Sequence, residues 1–206
     1  MKYESEIKSL LISNAIDLIA EGGFEKATTK ALTFYRDNIP GIKMNEVYIY
    51  RLFGGKDELF GTVFGQLDKE LFDVFQSVMK SSGCLNGDNT KDKLYEIFLT
   101  VWKFILLNEN RCRTYVRYYY SFYFKGTSLE KHQRNFDAVV AWFRPLFLEE
   151  ADAMAIMHTV FITLLDFAIR VYNGMIEDNE VNRPHIFNVL YCMMVTYFKD
   201  SLKSEA

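Results

Sequence analysis

Cysteine is scarce in this chain and poorly placed for structural use. Cys84, Cys112 and Cys192 cannot all pair within one chain, and none has metal-ligand spacing. That argues against a disulfide framework and for a reducing cytoplasm. The histidines, His132, His158 and His185, stand in no recognisable relation to cysteine or to acids at helical spacing, so no metal site is expected. There is no Gly-x-Ser-x-Gly, no glycine-rich phosphate loop and no His-Glu-x-x-His, which leaves an enzyme reading with no residue to rest on and implies no cofactor. The opening residues lack the charged-then-apolar pattern of a secretory signal. No apolar run is expected to reach membrane length: the best, from Ala153 to Leu165, is interrupted by His158 and two threonines and closed by Asp152 and Asp166, so no membrane partner is expected. Strand signals are weak, and internal repeats are absent.

What is present is apolar and aromatic. Half of the 206 residues are hydrophobic and 16% are aromatic, enough for a substantial core and too many for disorder. The net charge of -3 and a pI near 5.7 argue, as totals, against a nucleic-acid binder. The distribution says otherwise. Between Lys26 and Lys56 six bases face two acids, a local positive excess that the acidic remainder hides.

Apolar periodicity reads as helix almost throughout. Ile7, Leu10, Leu11, Ala15, Leu18 and Ile19 form the stripe of an amphipathic helix over Ser5 to Glu21, stopped by Gly22-Gly23. Thr28 or Thr29 caps a second helix running to about Asp37, and Ile39-Pro40-Gly41 makes a turn. Asp57 to about Lys80 is a single long helix. Ser81 to Thr90 is the one convincing linker. Helices then continue from Lys91, through an aromatic-dense segment (Tyr115 to Phe124) that is expected to be helical, to a helix from Ser128 that bends or ends near Pro145. The longest periodic stretch runs from Glu149 to Met175. The last helix has Pro184 in its first turn and two apolar sides: Ile186, Val189, Leu190, Met193 and Tyr197 on one, Phe187, Tyr191, Cys192 and Val195 on the other. One side can pack on its own body; the other is best covered by a second copy.

The most informative stretch is Asn45 to Phe60. Asn45 can cap a short helix with Ile49, Leu52 and Phe53 beneath and Glu46, Val47, Tyr48, Tyr50 and Arg51 facing outward. Gly54-Gly55 ends it, and Lys56-Asp57-Glu58 opens the next helix with acids where the dipole favours them. A short helix with an apolar underside and an exposed polar and aromatic face suits a DNA major groove.

Together with Gly22-Gly23-Phe24 and Thr28-Thr29-Lys30 upstream, this series resembles the head of the TetR (tetracycline-repressor-like) family. The resemblance implies an all-α fold of about nine helices: a three-helix helix-turn-helix head at residues 1–56 and an effector-binding and dimerisation bundle at 57–206. It implies a homodimer joined through the last two helices, a double-stranded DNA operator and a small-molecule effector. By resemblance, Thr29, Tyr50 and Lys56 meet phosphates while Glu46, Val47 and Tyr48 face base edges. Thr28, Lys30, Lys43, Asn45 and Arg51 complete the expected DNA-binding set. Two departures stand out. Val47 and Tyr48 occupy positions where glycine and a small residue are common, and Phe34 to Met44 is longer than the family's turn. The aromatic-rich body suggests Trp102, Tyr118, Tyr119, Phe122 and Phe161 as the effector lining. Arg117 is read as a surface residue, and His158 as a core or interface histidine. An alternative reading is a helical small-molecule-binding protein with a degenerate head.

Overall fold

A computed structural model of the chain describes residues 2–34, 44–83, 85 and 89–203. The expected turn at Ile39-Pro40-Gly41, the long crossing from the second to the third helix and Lys43 lie outside the described residues. Among those described there is no strand, only an isolated bridge between Phe147 and Phe198. The helices are α1 (Lys2–Gly22), α2 (Thr29–Phe34), α3 (Val47–Phe53), α4 (Lys56–Ser82), α5 (Thr90–Leu107), α6 (Glu109–Tyr119), α7 (Thr127–Phe143), α8 (Ala153–Tyr172), α9 (Asn182–Val195) and the short α10 (Asp200–Lys203).

The chain forms two compact units, residues 1–69 with 109–132, and 70–108 with 133–206. In the first, α1 packs on α2, α3 and α6. Ile7, Leu11, Ile19, Leu32 and Ile49 are fully buried there. Side-chain bonds to main chain pin the helices: Asn14 donates to the Leu32 carbonyl at 2.8 Å and Thr114 to the Ile16 carbonyl at 2.7 Å. Phe64 of α4 stacks on Tyr115 and Tyr118 of α6, with ring centres 5.0 and 4.5 Å apart.

The aromatic segment is helical only as far as Tyr119, which corrects the expected helix to Phe124. Ser121 ends it. Its hydroxyl donates to the Tyr118 carbonyl at 2.7 Å and accepts the Tyr123 N–H at 3.2 Å, a local alternative to the helical ladder. Gly126, at φ 53, completes the turn into α7.

His132, which the sequence places in no relation to an acid at helical spacing, has one on another helix. It is buried in α7, 2.7 Å from Asp68 of α4. The Tyr115 hydroxyl donates to the same carboxylate at 3.0 Å. Burial, and then the Asp68 charge, push the Tyr115 phenol well above its ordinary value.

In the second unit α8 packs on α5 and α9. Pro145 sits in a 3-10 turn, Arg144–Leu146, that follows the end of α7 at Phe143. Arg144 binds the carbonyls of Leu148, Glu149 and Ala151, so α8 begins at Ala153 and not at Glu149. Asp152 caps it, accepting the Ala155 N–H at 3.0 Å. This helix is long and apolar enough, by length and composition, to cross a membrane, contrary to the sequence reading. The apolar pattern resumes after Asp166, whose carboxylate pairs with Arg170 one turn on at 2.7 Å. Met157, Phe161, Leu164, Leu165 and Ala168 of α8 are buried within the unit.

The two sides of α9 divide differently from the expected sets. Ile186, Phe187, Leu190, Tyr191 and Met194 are buried, with Phe187 against Tyr95 and Phe98. Val189, Cys192 and Tyr197 are exposed. The helical period puts positions 186, 187, 190, 191 and 194 on one wide face.

Candidate DNA-reading helix and effector cavity

The geometry of α3 follows from its two ends. Asn45 accepts the Val47 N–H through Oδ1 at 3.1 Å and the Tyr48 N–H through its carbonyl at 3.1 Å, fixing the first turn. Gly54 ends the helix at φ 95, and its N–H returns to the Tyr50 carbonyl at 2.9 Å. A left-handed residue is what this stop requires. Between these ends Ile49 is fully buried while Val47 and Tyr50 are 65% and 59% exposed. The helix thus rests on Ile49, with Tyr48, Leu52 and Phe53 half-buried and Val47, Tyr50 and Arg51 displayed.

The displayed face is partly engaged with its own unit. Arg51 pairs with Glu4 of α1 at 3.0 Å, and its guanidinium lies over the Tyr48 ring, 4.6 Å from the centre. The Thr29 hydroxyl donates to the Glu46 carboxylate. Thr28 caps α2, accepting the Ala31 N–H at 3.1 Å, and Lys30 is exposed. Lys56 is half-buried at the start of α4, with its ammonium 5.6 Å from the Phe60 ring centre. All of the expected DNA-binding residues that are described therefore lie in the first compact unit, on α2, on α3 or at the ends flanking α3.

No protein-family model matches the sequence, and no curated protein matches it either. Solved structures do match. A TetR family transcription regulator from Marinobacter aquaeolei VT8 has a TM-score of 0.74 at 12% identity, covering 94% of this chain and 98% of that one. A putative TetR family regulator from Shewanella sp. PV-4 has a TM-score of 0.72 at 12% identity, with the same coverages. The fatty acid degradation regulator FadR from Bacillus halodurans has a TM-score of 0.63 at 14% identity, covering 88% and 96%. This chain has the TetR fold.

Within the TetR fold, the second compact unit holds an apolar cavity of about 70 Å³. Phenylalanine dominates its wall: Phe72, Phe75, Phe98, Phe136, Phe143, Phe161 and Phe187, with aliphatic residues and methionine between them. Every lining side chain is apolar, so a cavity of this kind stays dry. Of the five residues expected at an effector, Phe161 alone lines it.

The other four stand elsewhere. Trp102 is buried in the second unit and donates its indole N–H to Asp178 at 2.9 Å. It lines a separate groove with Leu99, Leu106 and the Asp178–Arg183 pair. Tyr118 and Phe122 line an open recess of about 410 Å³ in the first unit, together with Asp57, Gly61 and Lys131. Tyr118 is tied there by its hydroxyl to Ser128 at 3.0 Å and to the Tyr123 carbonyl at 3.1 Å. Tyr119 packs on Phe124 and His132. His158 and Arg117 are exposed, and the His158 ring is edge-on to Phe136.

The phenylalanines around the cavity carried no sequence signal beyond helical periodicity. The polar links that sequence reasoning missed, His132 to Asp68 and Trp102 to Asp178, join residues 64 and 76 positions apart.

Proposed function

We propose that this chain is a DNA-binding transcription regulator of the TetR type, acting as a homodimeric repressor that a small apolar effector releases from its operator. The observation that carries the reading is α3 itself: a seven-residue helix seated on buried Ile49, stopped at a left-handed Gly54, with Val47 and Tyr50 open to a groove. The structural relatives whose names include transcription regulation support it.

In this reading residues 1–56 act as the head, and the remainder binds effector and the second copy. Two heads place α3 in successive major grooves about 34–36 Å apart on a near-palindromic site. The exposed side of α9, with Val189 and Cys192, and Tyr197 just after it take part in the dimer. The protein works in the cytoplasm, where its operator is.

The apolar cavity is the effector site. A cavity of about 150 Å³ accepts benzene, so this one, about half that volume, accepts even a molecule of that size only when its phenylalanines move. Phe72 and Phe75 belong to α4, the helix that begins at Lys56 beside the end of α3. An effector that displaces them favours a state in which α4 has shifted. It does so only by binding that state better than the DNA-competent one, with coupling of about 1–3 kcal/mol typical.

The test is a gel shift with DNA from upstream of the chain's own coding sequence, at rising salt. Specific, salt-sensitive retardation is expected. Its absence, with selection from random duplexes also returning nothing, would replace this reading with that of a helical ligand-binding protein with an inactive head.

A further inference from the structure

Arg51 is the one arginine on the exposed side of α3, and it is already occupied. Its guanidinium meets the Glu4 carboxylate at 3.0 Å while its flat face covers Tyr48. Both partners of the ion pair remain about half exposed, at 52% and 48%. A second pairing of the same kind stands at the other end of the helix, where Thr29 donates to Glu46. Glu4 Oε1 pairs with Arg51 Nη2, and the Glu46 carboxylate accepts the Thr29 hydroxyl; a phosphate oxygen can take either partner.

We infer that Glu4 is an internal competitor of DNA: its carboxylate holds one guanidinium nitrogen of Arg51, Nη2, in the free protein and must leave before that nitrogen can pair with a phosphate. The inference rests on the DNA-binding reading above and names a regulation of that same surface. Two physical points fix its form. Carboxylate and phosphate oxygens bind the guanidinium fork alike, so Arg51 cannot satisfy both with the same N–H groups. The Tyr48 ring lies 4.6 Å from the guanidinium carbon, and exchanging a carboxylate for a phosphate at Nη2 does not require that contact to break.

An exposed ion pair of this kind is weak, so the brake is modest. Glu4→Gln keeps the size of the side chain and removes its charge. Affinity for a mixed-sequence duplex of about three helical turns should rise about two- to five-fold, the range set by exposed ion pairs. Arg51 then neutralises a phosphate without first leaving a carboxylate, so the slope of log affinity against log salt should steepen by up to about 0.9.

A double-mutant cycle separates competition for Arg51 from a general loss of negative charge. Binding is measured for the full chain, for E4Q, for R51A and for the double variant. Glu6→Gln, exposed on the same helix, serves as a charge control. Competition predicts a gain in E4Q that vanishes when Arg51 is alanine, and no comparable gain in E6Q. The same gain in the R51A background, or an equal gain from E6Q, overturns the inference and leaves only bulk electrostatics. If no protein, wild type included, shows salt-dependent binding, the DNA-binding reading itself fails and the inference falls with it.

Discussion

The guanidinium of Arg51 lies 4.6 Å from the ring centre of Tyr48, less than one helical turn earlier on α3. Tyr48 is therefore a half-covered ring, and its free edge is what α3 can offer a groove. Tyr48→Ala should shift sequence preference, since a lost base contact changes discrimination at its position by about 1–3 kcal/mol. Selection from random DNA with both proteins checks this. Recovery of an identical site by the variant would remove Tyr48 from base reading.

Lys56 stands at the first position of α4, its ammonium 5.6 Å from the Phe60 ring centre. As a phosphate contact it carries no sequence information. Lys56→Ala should weaken binding to operator and to unrelated duplex alike and lower the salt slope by about one unit. A loss confined to the operator would contradict that role.

The cavity makes a prediction about size. Leu164 lines it and is buried, so Leu164→Ala should cost about 2–5 kcal/mol of stability and leave a larger apolar space. Benzene should then raise the melting temperature of the variant more than that of the parent. Equal shifts in the two proteins would mean that the space does not take up ligand.

Asp178 carries a pH prediction. The hydrogen bonds from Arg183 hold its carboxyl below the ordinary value; burial opposes them, and the Trp102 indole N–H adds to the lowering. A carboxyl whose folded value is depressed contributes stability above its unfolded value, about 3.9, and that contribution is lost as pH falls through the folded value. The Asp178 carboxyl carbon should titrate with a midpoint under about 3.9. Arg183→Met should bring that midpoint up towards the ordinary value.

The sequence was most legible where a short segment determines its own geometry. Gly54 marks the end of α3 by left-handed backbone, and Asn45, one residue before the N-cap Glu46, turns the chain into it by accepting the Val47 N–H; both signals are local. Ile49 could be placed beneath from spacing alone. The first unit's buried His132–Asp68 pair was invisible because nothing local to either residue requires the other. The apolar cavity was hidden for a related reason. Aromatic density drew attention to Tyr118, Tyr119 and Phe122, whereas the cavity is made by phenylalanines spread over five helices that look, one at a time, like ordinary core. The end of α6 was misplaced because Ser121, an unremarkable residue in an aromatic run, captures main-chain partners that the next helical turn would need.

The most direct test of the central claim is selection of duplexes from a random library by the purified chain, with the mass of the bound species measured by light scattering. The account predicts one enriched near-palindromic site with half-sites about one helical turn apart, bound by an even number of chains. An unenriched library, or a single chain bound to a single half-site, would contradict it.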